Sequence, residues 1–489
     1  MPCNPDEIVH QVQDHFQQLI TYVTDADAHR TATEVERTLF RRLLALGLQL
    51  LRLFFVTRAA VRPTPPSVPT TDTPIPYHSR RPIDYFSVFG KLSFARHYFH
   101  ARDLGGVCPL DADLSLPARC YSDLLRDWSV YDCTDGAYRE TSTTVRRILG
   151  LDLSIQSLER VVADDACDVA AFYARLPAPM SPTPVGTILV AQADGKGVPM
   201  VQPPVATTPV RLGKGQKRTK KKEAIVTALY TIAPYVRTPQ DVLAALLHDP
   251  RAPDPPQRPR PVQKELRATL DGKAAAIRQL AQRAGIRDGQ HIQDRVALTD
   301  GAEPLQVQMQ TQLPTYTLVL DIIHATEYLW DTATALLGEH NPGRTPWVRG
   351  HLAAILQGQT ATVITALERE TQQPNRTATQ IAALHTTIGY YQRNLTYMHY
   401  AKYLARGWPI GTGVVEGACG HLVKDRMEQA GMRWTKAGAQ AMLDLRAVRL
   451  TNDWDAYWAF HREQEHTRLY GAVHPVPGRA ETQMLQLTG

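Results

Sequence analysis

Three short apolar runs in this 489-residue chain each stop at an aspartate. GTILVAQADG ends at Asp194 and Gly195, DRVALTDG ends at Asp300 and Gly301, and TYTLVLD ends at Asp321, with His324 three residues further on. Runs of this length read as buried strands, and the carboxyl ends of parallel strands open into one crevice, so the three aspartates can converge there. Carboxylates held together repel one another unless divalent cations neutralise them. Mg²⁺ suits the task, because it takes a few carboxylates and leaves its other positions to water and phosphate oxygens. Asp-Gly is also a frequent turn dipeptide, and a single strand-end aspartate is an ordinary helix cap. The repetition of the pattern weakens that simpler reading.

A fourth carboxylate lies in GWPIGTGVVEGACGHLVKDRMEQAGMRW, residues 407 to 434, where Glu416 opens a helix rich in small residues. Gly420, Val423 and Met427 follow it at i+4, i+7 and i+11, which predicts that this face packs on the sheet and brings Glu416 to the strand ends. Gly417 and Gly420 each cost roughly 1 kcal/mol of helix propensity, which suits a close backbone approach. Lys424, Arg426 and Arg433 follow as candidate contacts to a phosphate backbone. A surface glutamate favoured by the helix dipole is the alternative.

The elements that must position these groups can be read along the chain. Residues 5 to 60 carry two amphipathic helices, the second opened by Thr33 and Glu36 in capping-box spacing. Seven prolines in the 21 residues from 62 to 82 forbid a regular element there and predict an extended linker. IDYFSVFGKLSFARHYF reads as a hairpin turning at Gly90 and Lys91. Between 137 and 165 a helix ends at Gly150 and Ser154 caps the next, in helix-turn-helix form. That pair presents Arg146, Arg147, Gln156 and Arg160 to phosphates or base edges. EAIVTALYTIAP is a second strand of the core, VQKELRATLDGKAAAIRQLAQRAG reads as helical, and residues 326 to 406 are helical almost throughout. Strands alternating with helices predict an α/β fold with a mostly parallel sheet.

Composition is that of a globular chain, 43% apolar and 21% charged, and the formal charge of 54 minus 48, or +6, favours polyanions. Much of it is concentrated in RLGKGQKRTKKK, where Arg211, Lys214, Lys217, Arg218, Lys220, Lys221 and Lys222 occur without an acid. The six cysteines form no C-x-x-C pair, so neither a disulfide framework nor a zinc knuckle is signalled. The most apolar segment, residues 43 to 56, is interrupted by Arg52 and falls short of the roughly 20 residues that a bilayer span needs. No basic and apolar leader opens the chain. A soluble cytoplasmic protein is expected.

Taken in order, ADGKG, LTDGA, LDIIH and the block around Glu416 resemble the catalytic core of bacterial insertion-sequence transposases of the Kra type, relatives of the Mutator-like enzymes. The resemblance extends to the hairpin and to PLDADLSL at 109 to 116. It implies an α/β, ribonuclease-H-like catalytic domain with a large helical insertion, behind a mostly helical N-terminal DNA-binding region. The expected divisions are a helical region at 1–61, a linker at 62–82 and a DNA-binding region at 83–180. The first part of the core at 181–325, the insertion at 326–406 and the remainder at 407–489 follow.

By motif, Asp194, Asp300 and Glu416 would be the triad that holds two Mg²⁺ or Mn²⁺ ions, roughly 3.5 to 4 Å apart, for cleavage at element ends and 3′-hydroxyl strand transfer. Asp321 and His324 match a D-x-x-H signature beside the triad, with Asp321 in an accessory role and His324 contacting phosphate or serving in catalysis. Double-stranded DNA, as terminal repeats and target, and a homo-oligomer of at least two chains would be the partners, near the nucleoid and without a membrane. Some relatives carry a cysteine pair where this chain keeps only Cys108, so a zinc-assisted N-terminal DNA reader is not expected. A metal nuclease that does not join ends, or an inactive helix-turn-helix regulator, would be the rival readings.

Overall fold

A computed structural model describes residues 5–67, 73–102, 105–177, 186–202, 221–250, 257–429 and 431–471. Its contacts divide the chain into two units, one formed by Met1–Asp168 with Trp454–Gly489 and the other by Val169–Asp453. The first unit is therefore discontinuous in sequence, a division that differs from the linear order of segments expected above.

In the first unit α1 (Pro5–Thr24) and α2 (Ala32–Ala60) precede a three-stranded antiparallel sheet of β1 (Tyr77–Ser87), β2 (Gly90–Ala101) and β3 (Gly105–Val107). Thr31 and Glu34 make the capping box of α2, two residues before the pair chosen from sequence. The hairpin turns at Val88 and Phe89, since Ser87 pairs with Gly90 and the Ser87 hydroxyl accepts from the Phe89 N–H at 3.2 Å. β1 begins at Tyr77, so the last residues of the proline-rich stretch are strand. Tyr77 and Ser79 to Pro82 pair with β2, with a bulge at His78, although Pro82 donates no hydrogen bond.

By length and composition α2 could cross a bilayer. One of its sides nevertheless lies in a protein core, where Phe55 stacks on Phe94 with ring centres 4.5 Å apart, among Leu92, Leu110 and Leu116. The helices α3 (Pro109–Asp113), α4 (Asp123–Cys133), α5 (Tyr138–Leu149) and α6 (Ile155–Asp165) follow. α5 ends at Gly150 in the left-handed conformation, φ 73°, and the Ser154 hydroxyl caps α6, as the sequence indicates.

After α7 (Val169–Arg175), the second unit is built on a five-stranded sheet in the order β6-β5-β4-β7-β8, from β4 (Ile188–Pro199), β5 (Lys221–Ile232), β6 (Val262–Thr269), β7 (Asp294–Thr299) and β8 (Thr317–Leu320). β4, β7 and β8 run parallel, whereas β5 is antiparallel to both its neighbours. Four of the five strands therefore point the same way, as the alternation of strands and helices predicts, and β5 alone is reversed. β6 corrects the helical reading of VQKELRAT. Its polar sequence suits an edge, where α18 (Lys436–Leu450) covers it through Gln440, which donates to the Ala268 carbonyl and accepts from the Leu270 N–H. Glu265 is buried on it only because it pairs with Arg283 at 3.0 Å.

Alternate residues of β4 enter two cores. Ile188 and Val190 face α8 (Pro239–Leu246) and the helical block α11 (Ile322–Leu337), α12 (Arg344–Leu356), α13 (Thr360–Thr371), α14 (Ala378–Asn394) and α15 (Tyr400–Ala405). Leu189, Ala191 and Ala193 face α9 (Lys273–Arg287) and α10 (Glu303–Gln312). This period of two is why the strand is apolar on both sides, and why position 194 falls on the side of the helical block. The chain then runs through α16 (Gly413–Ala418), a π-helical turn at Cys419–Lys424, α17 (Asp425–Met427) and α18, while α19 (Trp454–Tyr470) belongs to the first unit.

Candidate active site

Carried just past its last pairs, the parallel register brings three acids into line. Gln192 pairs with Leu298, an offset of 106 that carries Asp194 to Asp300. Thr299 pairs with Leu320, an offset of 21 that carries Asp300 to Asp321. The Asp321 N–H still donates to the Thr299 carbonyl at 3.0 Å, so the rung persists just past the strands. Side chains on one rung share a face, here the one continued from Val190, Leu298 and Val319 toward the helical block.

Two of the aspartates also shape a turn: Asp300 accepts from the Ala302 N–H at 3.0 Å, and Asp321 caps α11 by accepting from the Ile323 N–H at 2.9 Å. Asp194 does not end its strand as the sequence suggests, because β4 runs on to Pro199 paired with β5; its carboxylate accepts from the Gly195 N–H at 2.6 Å. Turn and site readings coexist, because these bonds occupy one oxygen of each carboxylate. Gly301 is required by its backbone, φ 91°, and a β-carbon there would sit 2.7 Å from the Tyr390 hydroxyl oxygen. That hydroxyl donates to the Asp300 carbonyl at 2.8 Å, while its ring stacks on Tyr328.

Glu416 arrives from the other side of the helical block. The Ile410 carbonyl accepts from the Ile322 N–H at 2.9 Å, tying the loop before α16 to the first residue after Asp321. Gln192, wholly buried two residues before Asp194, completes the attachment. Its amide donates to the Gly411 carbonyl at 3.2 Å and to the Tyr230 hydroxyl oxygen at 3.0 Å, and its oxygen accepts from the Val415 N–H at 3.0 Å. The buried Thr412 hydroxyl then lies between two carboxylates, touching Asp321 and, at 2.6 Å, Glu416. A hydroxyl has one proton to give, so the second contact needs a proton on a carboxyl group or a cation nearby.

His324 Nδ1 sits 2.8 Å from Asp321 Oδ2. The hydrogen bond to Asp321, opposed by burial, raises its pKa to about 9, so the ring is an imidazolium at neutral pH. Ligand atoms of Asp321, His324 and Glu416 all lie within 4.8 Å of one another. Asp194 and Asp300 belong to neither grouping of this kind found among the described residues. Asp194 is instead linked to the helix of Glu416 by Cys419, whose Sγ is 3.4 Å from Asp194 Oδ2. Burial and then the Asp194 carboxylate push that thiol well up, leaving it a neutral donor.

Asp321 and His324 are thus seated directly against Glu416. Gln192, Thr412, Cys419 and Tyr390 are functional candidates that sequence reasoning missed. The only signal for Gln192 was a polar residue in an otherwise apolar strand.

The remaining expectations divide. Glu416 lies on the first turn of α16, but the packed face consists of Val415, Ala418, Cys419, Leu422, Val423 and Met427. The π-helical turn resets the phase that an α-helical count assumes. A β-carbon at Gly417 or Gly420 would meet nothing, so close backbone approach does not explain these glycines.

Arg426 is fully buried with its guanidinium 5.0 Å from the centre of the Trp434 ring, which rules out the expected phosphate contact. Lys424 and Arg433 are exposed, as are Arg147 and Arg160. Arg146 is paired with Asp152, and Lys221 with Glu428 at 3.0 Å, while Lys222 lies on β5. Arg211, Lys214, Lys217, Arg218 and Lys220 lie outside the described residues. A scan against protein-family models gives no match, and a search of curated proteins finds no significant similarity.

Proposed function

We propose that this chain is a metal-dependent DNA transposase of the Asp-Asp-Glu type, cleaving at insertion-sequence ends and joining the freed 3′-hydroxyl to target DNA. The observation that carries the reading is the alignment of Asp194, within β4, with Asp300 and Asp321, just past the ends of β7 and β8, and the seating of Glu416 against Asp321. The strand order β6-β5-β4-β7-β8, with β5 reversed, supports a ribonuclease-H-like core. The helical block between β8 and α16 supports the expected insertion ahead of the third acid.

The donor set fits hard divalent cations, since it offers carboxylate oxygens with a thiol that stays protonated. Asp194, Asp300 and Glu416 would hold two Mg²⁺ or Mn²⁺ ions, with Asp321 at the same edge. Bound there, the ions would supply activation of the attacking hydroxyl and stabilisation of the leaving 3′-oxygen. The protein's own part is positioning. Gln192 and the Ile322–Ile410 bond fix where Glu416 stands, Thr412 spaces it from Asp321, and Cys419 orients Asp194. His324 brings a positive charge to the acids and suits a DNA phosphate oxygen. Exposed Arg147, Arg160, Lys424 and Arg433 would add sequence-independent affinity. In the complex that joins two element ends, at least two copies would act.

The test is strand transfer by purified protein on a labelled element-end duplex with Mg²⁺, comparing wild type with Asp300→Asn and Glu416→Gln. A joined product made only by wild type is expected, with DNA binding retained by both variants. Cleavage without joining would overturn the transposase reading in favour of a nuclease. DNA binding without either reaction would leave only a regulator.

A further inference from the structure

A second cluster, in the first unit, takes no part in the chemistry proposed above. Cys167 and Asp168 stand on the turn that ends α6, and His461 reaches them from α19, 293 positions away from Asp168 in sequence. We propose that Cys167, Asp168 and His461 form a zinc site that clamps this turn to the C-terminal helix.

The ligand atoms of the three residues lie within 4.8 Å of one another. Tetrahedral zinc, with bonds of about 2.0 to 2.3 Å, places its ligand atoms roughly 3.3 to 3.8 Å apart, so closure needs shifts of about 1 Å. Asp168 and His461 are buried, whereas Cys167 is exposed. Solvent thereby reaches the site and can fill a fourth position. A thiolate, an imidazole and a carboxylate form a borderline-soft set, which selects zinc over Mg²⁺.

The surroundings are those of an oriented ligand. His461 Nδ1 faces Asp168 Oδ2 at 2.7 Å, while Nε2 faces the fully buried Asp165 at 3.3 Å. A carboxylate on the far nitrogen of a metal-binding imidazole fixes its tautomer and direction. Arg126 Nη2 lies 3.0 Å from the same nitrogen as the counter-ion of Asp165, and Arg468 holds the other oxygen of Asp168 at 2.6 Å. Arg126 is itself shared among Asp165, Glu465 at 2.7 Å and Asp123 at 3.6 Å.

The probe is Co²⁺ added to the chelator-treated full-length protein, read by cobalt–thiolate charge-transfer absorption. About one equivalent should bind with that band, be displaced by Zn²⁺ and resist excess Mg²⁺. Cys167→Ser, a change on the exposed turn, should abolish the band, whereas Glu416→Gln should leave it intact. No band in wild type, or an undiminished band in Cys167→Ser, would overturn the proposal. Because the readout requires sulfur, it is independent of whether the acidic site of the second unit functions.

Discussion

Gln192→Leu tests whether one buried amide holds the acidic site together. Leucine keeps nearly the same bulk but removes both the acceptor for the Val415 N–H and the donor to the Tyr230 hydroxyl oxygen, two groups on residues that are 0% and 2% exposed. Each buried polar group left unpaired costs about 1–3 kcal/mol, so the pair should cost about 2–6 kcal/mol. For a body of this size that is a fall in melting temperature of roughly 5–20 °C. The functional loss should be disproportionate, because the same bonds place α16. A displacement of Glu416 by about 1 Å is enough to lower strand transfer roughly 100-fold. Thermal unfolding and the strand-transfer assay, run beside Glu416→Gln, separate the two effects, since Glu416→Gln should lose activity while melting like wild type. A Gln192→Leu protein with wild-type melting and wild-type transfer would refute the claim that this residue positions the third acid.

Two further predictions concern the frame of the site. Gly301→Ala forces a β-carbon into a left-handed position 2.9 Å from Leu320 Cδ1, and should destabilise by about 1–3 kcal/mol and depress transfer by moving Asp300; unchanged calorimetry would contradict the packing described. Burial raises the Asp444 carboxyl to about 6 from its ordinary 3.8, although Arg267 and Gln440 favour the charged form. A raised carboxyl contributes stability that is full below about pH 4 and lost as pH climbs through about 6. Asp444→Asn should accordingly melt like wild type near pH 4 and exceed it near pH 8 by roughly 1–3 kcal/mol; equal melting at both would show the carboxyl to be well solvated.

Asp300 and Asp321 were legible because each follows the last residue of an apolar strand, whereas Asp194 was legible only as the end of an apolar run, since β4 continues through it to Pro199. Gly150 and Ser154 were legible for the same local reason, as their conformational preferences act within one turn. VQKELRAT was misread because what makes it a strand lies elsewhere, in the Arg283 that neutralises Glu265 and the Gln440 that covers its edge. The face of Glu416 was misjudged by assuming 3.6 residues per turn across a π-helical segment. Thr412 and Cys419 carry no pattern at all. Their meaning depends on which acids stand opposite, and that follows from the register of strands more than a hundred residues away. Cys167 and His461 leave no mark in local spacing, because the chain brings them together only after the whole second unit.

That interruption affects synthesis. Arg126, Asp165 and Asp168 emerge from the ribosome long before Glu465, His461 and Arg468, the residues that complete their charge pairing. Until α19 has been made, the turn at 166–168 lacks its histidine and Asp168 both of its cationic neighbours. A message broken anywhere within the second unit therefore yields a chain whose first unit is unfinished, however well that unit's earlier segment has been translated. Completion of the first unit is thereby a check on translation of the whole second unit.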